Sequence, residues 1–370
     1  MRTAVPRLVP WFVLAGLLAG CSTNDNPFRP PTVDTDRVAY VVTTDFSTGG
    51  LSVIDLATRQ VSPNVAAVHS DATLRVYGGL IYVINRFGQD NVQVIDPSRG
   101  YTTVRQFSTG NGSNPQDIAF ISTTKAYVSR YGSTALLIVN PSTGVTRGTI
   151  SLAGFADSDG LPEMSHMAIV GPWLFVACQR LTNFAAVNPS VVAVIDTRTD
   201  KVSDREVLVP GIQGITLTGR DPFTDFAYDA ASGELLIGCV GSFGVADGGI
   251  ERIDAVTPHS LGYAITESAL GGDVLDIAWN GAGHSYAIVS DASFNDRLIG
   301  WSETTGAPID TLYAAGGSTL PDCAVNAQGE LYVADNRLTA PGVRVFRAGA
   351  DTLIAGPLDT GLPPNQIVFR

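Results

Sequence analysis

Short apolar runs separated by Gly-, Asn-, Ser- and Thr-rich turns fill the chain. One pattern of hydrophobic and polar positions returns throughout: a hydrophobic run that closes on an aspartate. It reads Leu51-Ser-Val-Ile-Asp55, Val92-Gln-Val-Ile-Asp96, Leu137-Ile-Val-Asn140 and Val192-Ala-Val-Ile-Asp196. Looser copies are Ile250-Glu-Arg-Ile-Asp254, Leu298-Ile-Gly-Trp-Ser302 and Val343-Arg-Val-Phe-Arg347. The closing residues lie 41, 44, 56, 58, 48 and 45 positions apart. A period of this size, built of short strands and tight turns, predicts a β-propeller.

Each propeller blade is a meander of strands a, b, c and d. The third unit shows the order: Asp117–Phe120, Ala126–Arg130, Ala135–Val139 and a strand over 145–152. Its c–d turn, Asn140-Pro-Ser-Thr-Gly144, places Pro and Gly where a tight turn needs them. The same template sets blade 2 near 70–110, blade 4 at 162–209, blade 5 at 221–268, blade 6 at 271–317 and blade 7 at 319–361. Blade 1 opens on a b-type strand at Val38 and lacks a strand a. The missing piece stands at the other end, where Pro363-Pro-Asn-Gln-Ile-Val-Phe369 matches Asn114-Pro-Gln-Asp-Ile-Ala-Phe120. The expected fold is therefore an all-β, seven-bladed propeller over 37–370. Its C-terminal strand closes blade 1, leaving no open sheet edge there. Past the N-terminus no long 3.6-residue apolar period occurs, so almost no helix is expected.

Composition agrees with strands and turns: 16% charged residues, 39 Gly and 21 Pro in 370 residues. The N-terminus differs. Arg2 and Arg7 precede an apolar Leu8–Gly20 segment, which ends in Leu18-Ala-Gly-Cys21. That ending resembles the lipobox of bacterial lipoproteins. The resemblance implies a signal peptide over 1–20, lipidation of Cys21 and a membrane anchor through the N-terminal lipid. Ser22 after the cysteine, rather than Asp, implies the outer membrane. Residues 21–36 read as a flexible tether. Without the signal, 21 basic face 35 acidic residues, a net charge of −14. That balance argues against nucleic acid as a partner. Cys178, Cys239 and Cys323 form no CxxC pair, so no metal and no cofactor is expected, and buried thiols are.

Aligned first strands expose a column: Thr73, Asp117, His166, Asp225, Asp276, Asp322 and Gln366. An apolar residue follows each, then usually Ala. The column should ring one mouth of the central channel. Two readings stand. The carboxylates and His166 could bind a cation or work as acid and base, or each Asp could bind backbone N–H groups of the next blade. Tips of strand b reach the same face and carry Arg86-Phe87, Arg130-Tyr131 and Arg180. An arginine beside an aromatic suits a planar or anionic ligand; pairing with a nearby Asp is the alternative. Long excursions after strand b in blades 4 (Arg180–Pro189) and 5 (Gly241–Gly249) mark this as a binding face. No G-x-S-x-G, HExxH or P-loop signature occurs.

Ala126-Tyr-Val-Ser-Arg-Tyr-Gly-Ser-Thr134 and Ile81-Tyr-Val-Ile-Asn-Arg-Phe-Gly-Gln89 resemble the repeat of YVTN-type propellers, over 37–370 and most closely in blades 1 to 4. Secreted members include surface-layer proteins, YncE-like periplasmic proteins and lipoproteins that capture corrinoids for outer-membrane transporters. The resemblance implies a monomeric, envelope-anchored propeller that binds a small molecule, a glycan or an envelope protein on one face, more a binding module than an enzyme. The expected ligand-binding residues are Arg86, Phe87, Arg130, Tyr131, Arg180, His166, Asp117, Asp225, Asp276 and Asp322. The alternative is a propeller enzyme, lactonase-like or oxidising, at the channel mouth.

Overall fold

A computed structural model describes residues 36–205 and 208–370. The signal segment, Cys21 and the tether up to residue 35 lie outside the described residues. Seven antiparallel sheets form seven blades. The predicted closure is present: Pro364–Phe369 pairs with Val38–Thr44, from Ala39 opposite Phe369 to Thr43 opposite Pro364. Blade 1 therefore runs in the order Pro364–Phe369, Val38–Thr44, Gly49–Asp55, Val61–Val68. Helix among the described residues amounts to one turn, Glu267–Leu270, and two 3-10 turns.

Blade 4 departs from the template. Its outer position is shared by two fragments, Lys201–Val202 against one end of Val191–Asp196 and Ile215–Thr216 against the other. The chain between them holds Pro210-Gly211. A proline has no N–H to give the ladder and a glycine stabilises a strand poorly, so this stretch suits a loop between the two fragments.

The repeated motifs now have physical roles. The closing aspartate of each hydrophobic run folds the c–d turn by accepting backbone N–H groups: Asp55 from Ala57 and Thr58, Asp96 from Ser98, Asp254 from Val256 and Thr257. The tyrosine that follows the first residues of strand b (Tyr40, Tyr82, Tyr127, Tyr286, Tyr332) is buried between blades. Several reach the next blade's turn: Tyr127 hydrogen-bonds Asp200, Tyr286 bonds Asp351 at 2.8 Å, and Tyr332 bonds Arg59 across the closure. Hydrophobic clusters fill the blade interfaces. Between blades 2 and 3, Phe120 stacks on Tyr77 with ring centroids 4.5 Å apart. Cys178, Cys239 and Cys323 are free and buried in such clusters.

Candidate functional site

At four of its seven positions the polar column staples the ring, by one rule. The column residue of one blade accepts the backbone N–H that follows the column residue of the next. Asp117 accepts from Met167 (2.9 Å), Asp276 from Cys323 (2.7 Å), Asp322 from Ile367 (2.9 Å) and Gln366 from Leu74 (2.7 Å). Inner strands lack a partner on their axial side, and these side chains supply the acceptors.

Asp225 breaks the rule. Its carboxylate instead pairs with His166 Nδ1 and with Arg75 Nη2 at 2.7 Å, while Arg75 Nε donates to Asp117 at 2.8 Å. Arg75 thus crosses the axis from blade 2 and binds carboxylates of blades 3 and 5. Burial disfavours charge on Asp225, but Arg75 and His166 outweigh it and hold its carboxyl far below the ordinary range. Burial also opposes the His166 imidazolium, yet the charges of Asp225 and Asp117 raise its pKa above the usual value. Asp225 keeps 37% of its side-chain surface and lines the channel, so the cluster stays open to a ligand there.

A cavity of about 730 Å³ opens at this mouth. A smaller one of about 280 Å³ opens the opposite end, and Asp225, Asp276 and Asp322 line both. Of the arginine tips, Arg86 reaches the larger cavity, where its Nε pairs with Asp71 at 2.7 Å; Tyr131 lines it as well. Phe87 points to solvent outside it. Arg130 and Arg180 do not line it, contrary to expectation. Both guanidinium groups are taken by backbone carbonyls: Arg130 binds Ala135 and Thr109, and Arg180 binds Pro189 in its own loop. Asp117 is buried beneath the cavity floor rather than lining it.

The long loops do reach the cavity, with residues the repeat pattern did not single out. Phe184 comes from the blade 4 excursion and Phe243 from that of blade 5, and Phe223 lies just before the blade 5 inner strand. Arg220 ties the two loops together, donating to the Ala186 carbonyl and pairing with Asp247 at 2.6 Å. Asp221, buried at the cavity wall, accepts from Gln179 at 2.7 Å; burial pushes its carboxyl up to about 7 despite that bond. Burial likewise raises Asp276 and, with the nearby Asp276 charge, Asp322.

Among the described residues, three groups bring possible metal ligands within 4.8 Å of one another: Asp117, His166 and Asp225; His284, Asp310 and Asp351; Asp157, Asp159 and Glu163. The first is already neutralised by Arg75, which leaves a dication little to gain. The third sits in the linker between blades 3 and 4, where burial and Asp159 push Glu163 up to about 8.

No protein-family model matches the chain, and no curated protein matches it in sequence. Solved structures do match. A candidate 6-phosphogluconolactonase from Bacteroides fragilis NCTC 9343 aligns with a TM-score of 0.62 at 12% identity, over 92% of this chain and 100% of its own. A functionally unknown protein from Desulfotomaculum acetoxidans DSM 771 gives 0.61 at 12% identity, over 90% and 98%. Apo AztD from Citrobacter koseri gives 0.54 at 13% identity, over 90% and 98%. At these identities the likeness shows the fold alone.

Proposed function

We propose that this propeller is a ligand-binding module of the cell envelope, anchored through a lipidated Cys21 in the outer membrane, whose site is the larger mouth cavity. The observation that carries the reading is the cavity itself. At about 730 Å³ it matches small-molecule sites, and a few inward polar groups meet apolar loop residues in it. Capture for an envelope transporter is one form of the activity; holding a glycan or envelope protein is another. Phosphorylated sugar lactones fit it poorly, because Asp221, Asp276 and Asp322 line the space an anion would fill and the basic residues there, Arg86 and His166, are already paired.

A thermal-shift screen of the full chain tests the reading. Compounds that stabilise the wild type should lose their effect on Thr319→Trp, which plugs the rim from an exposed position. Stabilisation that survives the plug places the site elsewhere. Intact-mass measurement on membrane-extracted protein checks Cys21: an unmodified cysteine, or a chain still carrying residues 1–20, removes the anchor. Asp221, titrating near neutral pH, favours one second reading, an acid–base enzyme. Lactone or ester turnover that Asp221→Asn abolishes in a folded protein would replace binding with catalysis.

A further inference from the structure

We infer that the mouth cavity selects a small organic cation with an apolar or aromatic group. The inference rests on the ligand-binding reading and adds the ligand's chemistry. Asp71 at the rim is matched by Arg86, and Asp225 by His166 and Arg75. Four carboxyl groups lining the cavity are in no ion pair among the described residues: Asp221, Asp276, Asp296 and Asp322. Their partners are neutral donors: the Gln179 amide, the Cys323 N–H, the Leu320 N–H with the Ser290 hydroxyl, and the Ile367 N–H. Neutral donors satisfy lone pairs without supplying a countercharge. Burial raises all four acids, Asp221 and Asp276 to about 7, so the negative potential of the wall grows as pH rises through neutrality, and a bound cation favours their ionised forms. Arg86 and His166 are the only basic residues lining it among the described residues, and both are already paired.

The blade 4 and 5 side supplies the second half of the site. Phe184 is 86% exposed and Phe243 53%, and Phe223 meets Phe243 edge to face at 5.7 Å. Large aromatic rings left in water beside uncompensated carboxyls recognise a cation that has an apolar face. The rings attract it through their quadrupoles and the acids through charge-assisted hydrogen bonds. A bare metal ion is a poorer match. Metals need ligand atoms gathered at one point, and among the described residues none of these four acids belongs to a group of three or more whose ligand atoms converge within 4.8 Å. Spread around the wall, they suit a cation of larger size.

Calorimetric titration of the full chain at about pH 8, above the raised pKa of Asp221, distinguishes the classes. The probes are 2-phenylethylammonium and benzyltrimethylammonium as cations, 3-phenylpropionate as the anion, and benzyl alcohol as the neutral counterpart. Both cations should bind saturably, at least roughly tenfold more tightly than the alcohol, and the anion should not bind. Asp221→Asn and Phe243→Ala should each weaken the cations by about tenfold. Asn retains an acceptor for Gln179 and tolerates the φ of 51° at position 221, and Phe243 is exposed, so both variants should fold. Absence of cation binding overturns the proposal, as does cation binding indifferent to both variants. Should the anion or the alcohol bind best, and Thr319→Trp block it, the cation class falls while the ligand-binding reading stands.

Discussion

Arg75 stands where five blades carry alanine: Ala119, Ala168, Ala227, Ala278 and Ala324 hold the position two residues past the column. The small residues leave room along the axis, and one long side chain fills it. Replacing it with Met would leave Asp117, 1% exposed, without its ion-pair partner. Arg75→Met should cost about 3 kcal/mol in urea unfolding. Arg75→Lys should recover only part of that, since an ammonium cannot fork between two carboxylates. The buried acids set a pH dependence. Asp221, raised to about 7, and Asp276, also raised, hold their protons longer in the folded than in the unfolded chain. Their contribution is present in full below the unfolded carboxyl pKa and is lost as pH rises through about 7; His166, also raised, acts in the same sense. The melting temperature should fall from pH 5 to pH 8, and a rise over that window would contradict the assignment. At this scale the sequence was partly legible. The column could be read from spacing, but Arg75 was passed over although it breaks the alanine series. Asp221, Phe184, Phe223 and Phe243 lie in loops, where no period constrains what a side chain meets.

Strands and turns were the most legible level, because each repeat faces the same problem: burying two faces of a sheet against like neighbours. The recurring aspartate ends a strand and starts a turn, and the recurring tyrosine joins that blade to the next one's turn. Those tyrosines are not equivalent. Tyr127→Phe removes the hydroxyl that bonds Asp200 and should cost about 1 kcal/mol. Tyr82, packed on Phe120, has no hydroxyl partner among the described residues, so Tyr82→Phe should be near neutral. Equal losses in chemical denaturation would remove the hydrogen bond from the explanation. The divided outer strand of blade 4 escaped the sequence reading for a physical reason. Two-residue fragments carry no alternation that a sequence pattern can register.

For the whole molecule, closure is the decisive contact, and it was legible because a strand-a sequence stood alone at the C-terminus. Removing Pro364–Phe369 would expose one edge of Val38–Thr44 and delete the Gln366 acceptor used by blade 2. Such a truncation should lose cooperative unfolding and aggregate, as read by calorimetry and light scattering; a protein that still melts sharply would show that the ring does not depend on closure. The same arrangement has a mechanical side. Val38–Thr44 is held by ladders on both flanks, to Gly49–Asp55 and to Pro364–Phe369. A pull delivered through the residues before Asp36 enters the ring at this strand and must shear two ladders together. The point where the chain enters the propeller is therefore its clamp, and the force needed to extract it should exceed that for any strand held on one side.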